Sequence, residues 1–531
     1  MRLLKGITMV LLLMFPLCLL FSSKITPFLR PAGRAGNSLI YARGHDSTTL
    51  DPARAQDDES YKVISNIYEG LVRFKAGTAA EIEPCLAESW QISPDNMVWT
   101  FFLQKNIQFH DGTPFNAEAV RFSLERQISP QSDGSLNYAS FTFGMVDQIK
   151  VIDPFTVSFI LKFPYAPFLN NLAMTAAAPM VSPTSATTRG EAFGENPAGT
   201  GPFRFVSWDK GKRIVLQANK DYWANPPEHS TLIFNVVKNS RLRSLLLKFG
   251  LADIIDGITA SDARYLEQKG CQVLRNPGLD LNYLGFYTDK EPFNNPALRR
   301  AVSLALDRKQ LTAGLYHGVS IEANGPLPPG VLGYDHDLRP LPYDPDGARE
   351  ILAREGLAHG LKITIITYIS KRPYNPAGGE KLAAVIQADL AAVGIETEIK
   401  AYSWDNYKEA LLKEEGDAFL YGWISDNGDP DNFLYTLLSS SQIESGLNTT
   451  RYRNREMDFL LARAQQTIDQ TLRQDLYREA TGLMIRDAPL VCLNHSLHLA
   501  AVSAALDAFI QQSAGYPFLT VIKKTGSGKK S

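Results

Sequence analysis

The stretch "LKITIITYISKRPYNPAGGEKLAAVIQADLAAVGIETEIKAY" (residues 361–402) decides the fold class. Most of its first nine residues are apolar or β-branched, which is typical of a buried strand. Residues 378–394 then repeat apolar side chains at helical spacing, and Gly394 is well placed to end that helix. Residues 395–404 return to a strand pattern, so the whole stretch predicts a βαβ unit.

The same alternation continues beyond this unit. "DNYKEALLKEE" (405–415) has the pattern of a helix, and "DAFLYGW" (417–423) has the pattern of a strand. Strands that alternate with helices predict a mostly parallel α/β sheet. The first half of the chain mixes short strands, such as residues 38–43, with helices such as residues 117–128, where Asn116 is a candidate N-cap. We therefore predict an α/β fold with mixed sheets.

Two polar loops of this predicted sheet attract attention. "SKRPYNP" (370–376) and "ISDNGDPDNF" (424–433) each begin where a predicted strand ends. Ligands of open α/β sheets bind beyond the carboxyl ends of the strands. The first loop carries a cation, Arg372, and the second carries an anion, Asp426. A cation and an anion that face one crevice can hold a zwitterion, so we predict a ligand site here.

The second loop contains two further carboxylates, Asp429 and Asp431, just before a helical pattern at residues 432–438. Aspartate is favoured in turns and at helix N-caps. We interpret both residues as N-caps or turn formers, so that only Asp426 needs to be functional.

The composition is that of an ordinary globular protein. The chain has 531 residues, 44% of them hydrophobic, and 54 basic against 56 acidic residues give a net charge of −2. This length has room for two or three domains, because single cores rarely exceed ~250–300 residues. The chain has no surplus of basic residues, so its composition does not suggest a nucleic-acid partner.

The N-terminus has the pattern of a secretory signal peptide. Arg2 and Lys5 precede the apolar run Ile7–Phe21, which is shorter than the ~18 residues of a typical membrane span. We predict that residues 1–36 are a signal peptide and that the mature protein is periplasmic. Retention of this segment as an uncleaved tether to the inner membrane is the alternative.

Metal, cofactor and catalytic signatures are weak. The three cysteines after the leader are too widely spaced for a metal site or a disulfide framework. His495 and His498 lie in an apolar strand-like setting, and "FHDG" (109–112) fits a turn, so we interpret these residues as structural. The motifs G-x-S-x-G, G-x-x-x-x-G-K and H-E-x-x-H do not occur. We therefore expect no enzyme activity, no catalytic residue, no metal and no cofactor.

Several motifs resemble the peptide-binding branch of the family 5 extracellular solute-binding proteins, which are components of ABC peptide importers. They are "LAESWQISPDNMVWTFFLQKNIQFHDGTPFNAEAV" (86–120), "GTGPFRF" (199–205), "LRRAVSLALDR" (298–308), "KRPYNP" (371–376) and "GWISDNGDPDNF" (422–433). The resemblance runs from about Leu39 to about Ile522.

The resemblance implies a two-lobed fold of the periplasmic-binding-protein type, class II, with mixed sheets and a hinge between the lobes. The chain would cross between the lobes near Tyr283–Phe286 and near His498–Val502. The implied parts are residues 37–285 plus 499–522 for a first lobe with an additional subdomain, residues 286–498 for a second lobe that carries both loops, and residues 523–531 for a disordered basic tail.

The resemblance also implies roles for individual residues. Asp426 would bind the α-ammonium of a peptide, and Arg372 would bind its α-carboxylate. Tyr374, Trp423 and Gly422 would line the pocket. Arginine suits the second role because its planar guanidinium forms two parallel hydrogen bonds with a carboxylate.

The function implied by the resemblance is that of the substrate-binding protein of an ABC importer. It would capture short peptides, chiefly dipeptides, as a monomer and deliver them to membrane permease subunits that work with cytoplasmic ATPases. A haem- or nickel-binding carrier of the same family is the alternative, and a secreted hydrolase is a more distant one. The sequence leaves the preferred side chains of the ligand open.

Overall fold

A computed structural model describes residues 37–129, 139, 142–507, 509–510, 512–513, 516, 519–520 and 522–524. The predicted signal peptide and residues 525–531 of the predicted tail lie outside these residues. Within the described residues, no helix combines the length and the apolar composition that a membrane crossing needs.

The strands of the described residues are numbered β1 to β20 in chain order. They are Ser38–Arg43, Val72–Phe74, Ile82–Pro84, Ala87–Ile92, Val98–Leu103, Val146–Asp153, Thr156–Leu161, Phe203–Asp209, Arg213–Ala218, Thr231–Val236, Ile254–Asp256, Gln272–Pro277, Asp280–Phe286, Ser320–Glu322, Leu361–Tyr368, Ile395–Tyr402, Ala418–Ile424, Leu490–Val502, Leu506–Asp507 and Lys523–Lys524.

The α-helices of the described residues connect and cover these strands. They are Asp58–Ile67, Ala117–Ile128, Phe168–Leu172, Pro183–Arg189, Ser240–Lys248, Ala260–Gln268, Pro296–Ala305, Arg308–Tyr316, Pro345–Arg354, Gly379–Ala392, Trp404–Leu412, Asp431–Leu438, Arg455–Gln466 and Gln470–Asp487.

The predicted βαβ unit is present. Strand β15 pairs in parallel with β16 and with β17, and the helix Gly379–Ala392 connects β15 to β16. Apolar side chains of this helix pack on the sheet, because Leu382, Ile386 and Leu390 are fully buried. Strand β17 pairs with β13 in the antiparallel sense, so the sheet is mixed, as predicted.

One long strand, β18, joins two halves of a large sheet. Its beginning pairs with β13 beside β17 and β15, and its end pairs with β12 and with β11, which lies beside β1. The halves belong to two lobes, which matches the predicted two-lobed fold. Between β13 and β12 only Gly278 and Leu279 remain, so the chain passes between the halves there and near Ser496–Leu497.

These crossings lie earlier in the chain than expected. Residues 283–286 were assigned to the boundary, yet β13 pairs along its whole length with β17 of the second lobe. The second crossing likewise precedes His498, because Leu497 already pairs with Pro277 of the first half. By strand pairing, β13 and residues 490–496 of β18 thus join the half of the sheet that contains β15 and β17.

A subdomain follows the first strands of the chain. It contains an antiparallel sheet in the order β4-β5-β7-β6, covered by the helix Ala117–Ile128. Arg126 fixes it to the first lobe through two hydrogen bonds to Asp51, at 2.7 and 2.5 Å. The segment after β7 also contacts the second lobe, because Asn170 donates to the Asn427 carbonyl (3.1 Å) and Asn427 donates to Asn171 Oδ1 (2.8 Å).

Only the first two residues of the predicted disordered tail belong to the described part of the chain. Lys523 and Lys524 form strand β20, which pairs with β19. Lys523 Nζ also lies 3.0 Å from Glu228 Oε1. Two residues of the tail are thus ordered by strand pairing and by an ion pair that the local sequence did not reveal.

Candidate ligand-binding cleft

A cavity of about 1240 Å³ lies between the lobes, at the carboxyl ends of β15 and β17. Both lobes and the C-terminal segment contribute to its wall. The wall includes Asp58, Tyr61, Lys62 and Asp256 from the first lobe, Arg372 and Asp426 from the second, and Gln512 and Tyr516 from the C-terminal segment. The structure therefore brings Arg372 and Asp426 together on the wall of one cavity.

The loop that carries Asp426 is held by its own backbone and by its neighbours. Ser425 N–H donates to the Leu279 carbonyl at the lobe crossing (2.7 Å), and Gly428 N–H donates to Ser425 Oγ (3.0 Å). Gly428 has a φ of +62°, a conformation that glycine adopts without strain. Asp426 is exposed on the cavity wall while the residues on either side of it are buried. This fold of the loop presents one carboxylate to the cavity.

Arg372 is positioned by a tight turn and by an aromatic ring. Its N–H donates to the Asn375 carbonyl (3.1 Å), and Asn375 N–H donates back (2.9 Å). The guanidinium carbon lies 3.4 Å from the centre of the Trp404 ring, so a cation–π contact orients the side chain. The buried Nε of Arg372 has no hydrogen-bond acceptor among the described residues. The guanidinium thus has donor capacity left for a carboxylate.

Sequence reasoning missed Trp404, although a signal existed. Trp404 begins the helix that follows β16, so it lies at the same edge of the sheet as the two predicted loops. The carboxyl-end rule that selected Arg372 also applies to this position.

The other predicted site residues lie behind the two loops. Tyr374 is 4% exposed, and its ring lies against Gly422. Burial raises the pKa of Tyr374, so its hydroxyl stays protonated. Trp423 is half-buried and donates from Nε1 to Asn432 Oδ1 (2.9 Å). None of these three residues is among those that line the cavity.

Replacing Gly422 with alanine is expected to destabilise the fold. A Cβ at this position would lie 2.3–2.6 Å from ring atoms of Tyr374, which has no open space to move into. Overpacking of this kind costs about 1–3 kcal/mol. We expect a lower melting temperature and weaker ligand binding, measured by calorimetry.

Gly482→Ala is the matched control for Gly422→Ala. Gly482 lies inside the helix Gln470–Asp487, and an added Cβ would meet nothing within 4 Å. Alanine there is expected to leave stability unchanged or to raise it by about 0.5–1 kcal/mol. If Gly422→Ala melts at the wild-type temperature, the inference that Gly422 is in tight contact with Tyr374 is wrong.

Asp429 and Asp431 differ from the predicted N-caps. Pro430 occupies the cap position of the helix Asp431–Leu438 and makes no side-chain cap hydrogen bond. Asp429 does act as a turn former, because its Oδ1 accepts from Asp431 N–H (2.9 Å). Its main partner is Arg473, which donates to both carboxylate oxygens at 3.0 and 2.8 Å.

Asp431 lies in the same buried cluster. Gln465 Nε2 donates to both of its carboxylate oxygens (3.2 Å each). Burial, followed by the charge of Asp429, raises the pKa of Asp431 to about 7. The carboxylates beside Asp426 therefore form a structural network, and Asp426 is the one that faces the cavity.

The two histidines noted in the sequence have separate environments. His495 is fully buried with Nδ1 2.6 Å from the Asp280 carbonyl oxygen, and burial lowers its pKa. His498 is half-exposed on the cavity wall, 4.0 Å from Asp280 Oδ2. Within the described part of the chain, no three histidine, cysteine, aspartate or glutamate side chains are grouped as metal ligands would be.

Comparison with known proteins identifies the family. Residues 81–445 match the family described as "Bacterial extracellular solute-binding proteins, family 5 Middle". The chain is 32% identical to the Heme-binding protein A of Haemophilus influenzae over 515 residues, which cover 93% of this chain and 94% of the relative. It is also 32% identical to the Dipeptide-binding protein of Escherichia coli K12 over 502 residues, covering 90% and 93%.

A solved structure supports the same assignment. The periplasmic binding protein DppA from Helicobacter pylori, in complex with the peptide STSA, superposes with a TM-score of 0.72 at 32% identity, and the match covers 92% of this chain and 98% of that one. The family is made up of solute-binding proteins. The chain therefore belongs to the family 5 bacterial extracellular solute-binding proteins, as its motifs predicted.

Proposed function

We propose that this chain is the substrate-binding protein of an ABC importer that captures short peptides, chiefly dipeptides. It acts as a monomer in the periplasm after export by residues 1–36, and it delivers its cargo to permease subunits that work with cytoplasmic ATPases. One observation carries the proposal: Arg372 and Asp426, from separate loops at the ends of neighbouring strands, line a single cavity.

The two charges match what all free peptides share. Every unmodified peptide has an α-ammonium and an α-carboxylate, whatever its side chains. A carrier of many peptides therefore gains most by binding these ends and the main chain. Asp426 accepts charge-assisted hydrogen bonds from the ammonium, and the Arg372 guanidinium donates to the carboxylate. Gly422 and Trp423 lie in β17, which leads into the loop of Asp426, and Tyr374 lies in the same loop as Arg372.

The relatives support this ligand class. One relative is named for dipeptide binding, and a similar structure holds a peptide. A haem carrier is the second candidate, because the Heme-binding protein A is equally similar. Binding of haem would need neither Arg372 nor Asp426. Only the peptide carrier therefore depends on the charged ends of its ligand.

Calorimetry with capped peptides tests the proposal. The full chain, unfolded and refolded to remove bound cargo, is titrated with Ala-Ala, N-acetyl-Ala-Ala, Ala-Ala-amide and haemin. We expect Ala-Ala to bind and each cap to weaken binding by about 2 kcal/mol or more. The acetyl cap leaves Asp426 facing a neutral amide, and the amide cap does the same for Arg372. Equal binding of free and capped peptides would rule out recognition of the ends. Binding of haemin alone would favour the haem carrier.

A further inference from the structure

We propose that Asp58, on the first lobe, is a second carboxylate for the ligand's α-ammonium, so that the cation is held between Asp58 and Asp426 of opposite lobes. This inference rests on the proposed function. It adds a specificity-determining residue to a site that the sequence placed wholly on the second lobe.

The geometry around Asp58 supports this role. Asp58 is the first residue of the helix Asp58–Ile67 and is exposed on the cavity wall. Tyr516 Oη donates to Asp58 Oδ1 at 3.0 Å, and the Tyr516 and Tyr61 ring centres are 5.8 Å apart. Both tyrosines line the same cavity. The first lobe thus presents a carboxylate framed by two aromatic rings.

Asp426 lies within electrostatic reach of this group. Burial raises the pKa of Tyr61, and the negative charge of Asp426 raises it further. The pKa of Tyr516 is raised by burial first, then by Asp58, and also by Asp426. Both carboxylates therefore act on one pair of tyrosines, although they belong to different lobes.

A bound cation would remove the repulsion between the carboxylates of Asp58 and Asp426. Two carboxylates across a cleft gain nothing by approaching each other unless a cation lies between them. Lys62, on the same helix as Asp58, is already paired with Glu59 at 3.1 Å and Asp256 at 2.5 Å. Within the described residues, Asp58 forms no ion pair with lysine or arginine. The faces of tyrosine rings also attract an ammonium.

An independent observation fits a peptide better than a simple cation. Gln512 lines the cavity, is only 7% exposed, and its Nε2 donates to no acceptor among the described residues. A buried amide donor without a partner is unfavourable until a ligand supplies an acceptor. In a peptide, a carbonyl lies two bonds from the α-ammonium nitrogen. The first lobe therefore offers an acceptor for the ammonium, and the C-terminal segment offers a donor for a carbonyl.

Asp58→Asn tests the inference, because asparagine keeps the acceptor for Tyr516 and removes only the charge. We expect the Kd for Ala-Ala to rise at least tenfold, and the much weaker binding of N-acetyl-Ala-Ala to stay unchanged. Glu88→Gln is the control. Glu88 is exposed on β4 of the subdomain and does not line the cavity, and this substitution changes the net charge by the same amount. Its Kd is expected to match the wild type.

The outcomes separate the inference from the proposed function. If wild type prefers the free peptide but Asp58→Asn binds it within twofold of wild type, only the inference is overturned. If wild type does not distinguish free from acetylated peptide, both fail. The double variant Asp58→Asn/Asp426→Asn should lose less than the product of the single effects, because both carboxylates bind one cation. Dependence on Asp58 for N-acetyl-Lys-Ala but not for Ala-Ala would assign Asp58 to a side-chain site and overturn the inference.

Discussion

Asp426→Asn should weaken the binding of a free dipeptide by about 2–5 kcal/mol, which is roughly 30-fold to several thousand-fold in Kd. The ligand's ammonium would leave water and lose its carboxylate partner on the second lobe. Most of the loss arises because the buried cation then keeps only Asp58 of its two carboxylate partners. Asparagine has nearly the same shape, so the loop and its contact between Ser425 and Leu279 should persist. Titration calorimetry measures the change.

Two controls make the Asp426 result specific. Asp475→Asn removes the negative charge of an exposed side chain of the second lobe that does not line the cavity. The Kd of this variant for the dipeptide should equal that of wild type. The melting temperature of Asp426→Asn should stay close to that of wild type, because the side chain is exposed. Wild-type affinity in Asp426→Asn would contradict the assignment of the ammonium site.

Arg473→Met should lower the free energy of unfolding by about 3–5 kcal/mol, the usual effect of removing one partner of a buried ion pair. Arg473 and Asp429 side chains are only 5% and 2% exposed. The substitution leaves the Asp429 carboxylate buried beside Asp431 with no cation. Urea unfolding and calorimetric melting of the empty protein both report this loss.

The control for Arg473→Met is Arg354→Met, which removes an exposed ion pair with Glu350. Exposed pairs contribute about 0–1 kcal/mol, so this variant should unfold almost like wild type. Adding Asp429→Asn to Arg473→Met should recover part of the lost stability, because no unpaired charge then remains. Equal stability of Arg473→Met and Arg354→Met would show that the buried pair contributes little.

Local sequence patterns were enough to predict the βαβ part of the second-lobe sheet and the positions of its two loops. The strand and helix periods of residues 361–402 are strong, and the carboxyl-end rule then selected Arg372 and Asp426. The expected positions of the lobe crossings came from the family resemblance alone, because no local pattern marks them: β13 is buried along its whole length.

Partners distant in the sequence could not be predicted. Arg473 lies 44 residues from Asp429, and nothing in either local pattern indicates the pair. Asp58 sits in the first turn of a helix, where an acidic residue is common for local reasons. Only the meeting of the lobes reveals that it shares a cavity with Asp426.

The way the lobes are joined determines which movements remain possible. The crossing strands β12–β13 and β18 are hydrogen-bonded neighbours, and a second attachment lies where Asn170 and Asn171 meet Asn427. A hinge movement that keeps these contacts intact rotates one lobe about a line that passes close to them. Asp426 is next to Asn427 and so lies close to that line, where rotation produces little displacement. We expect the ammonium end of the site to change least between empty and loaded states, while displacement grows with distance from the axis.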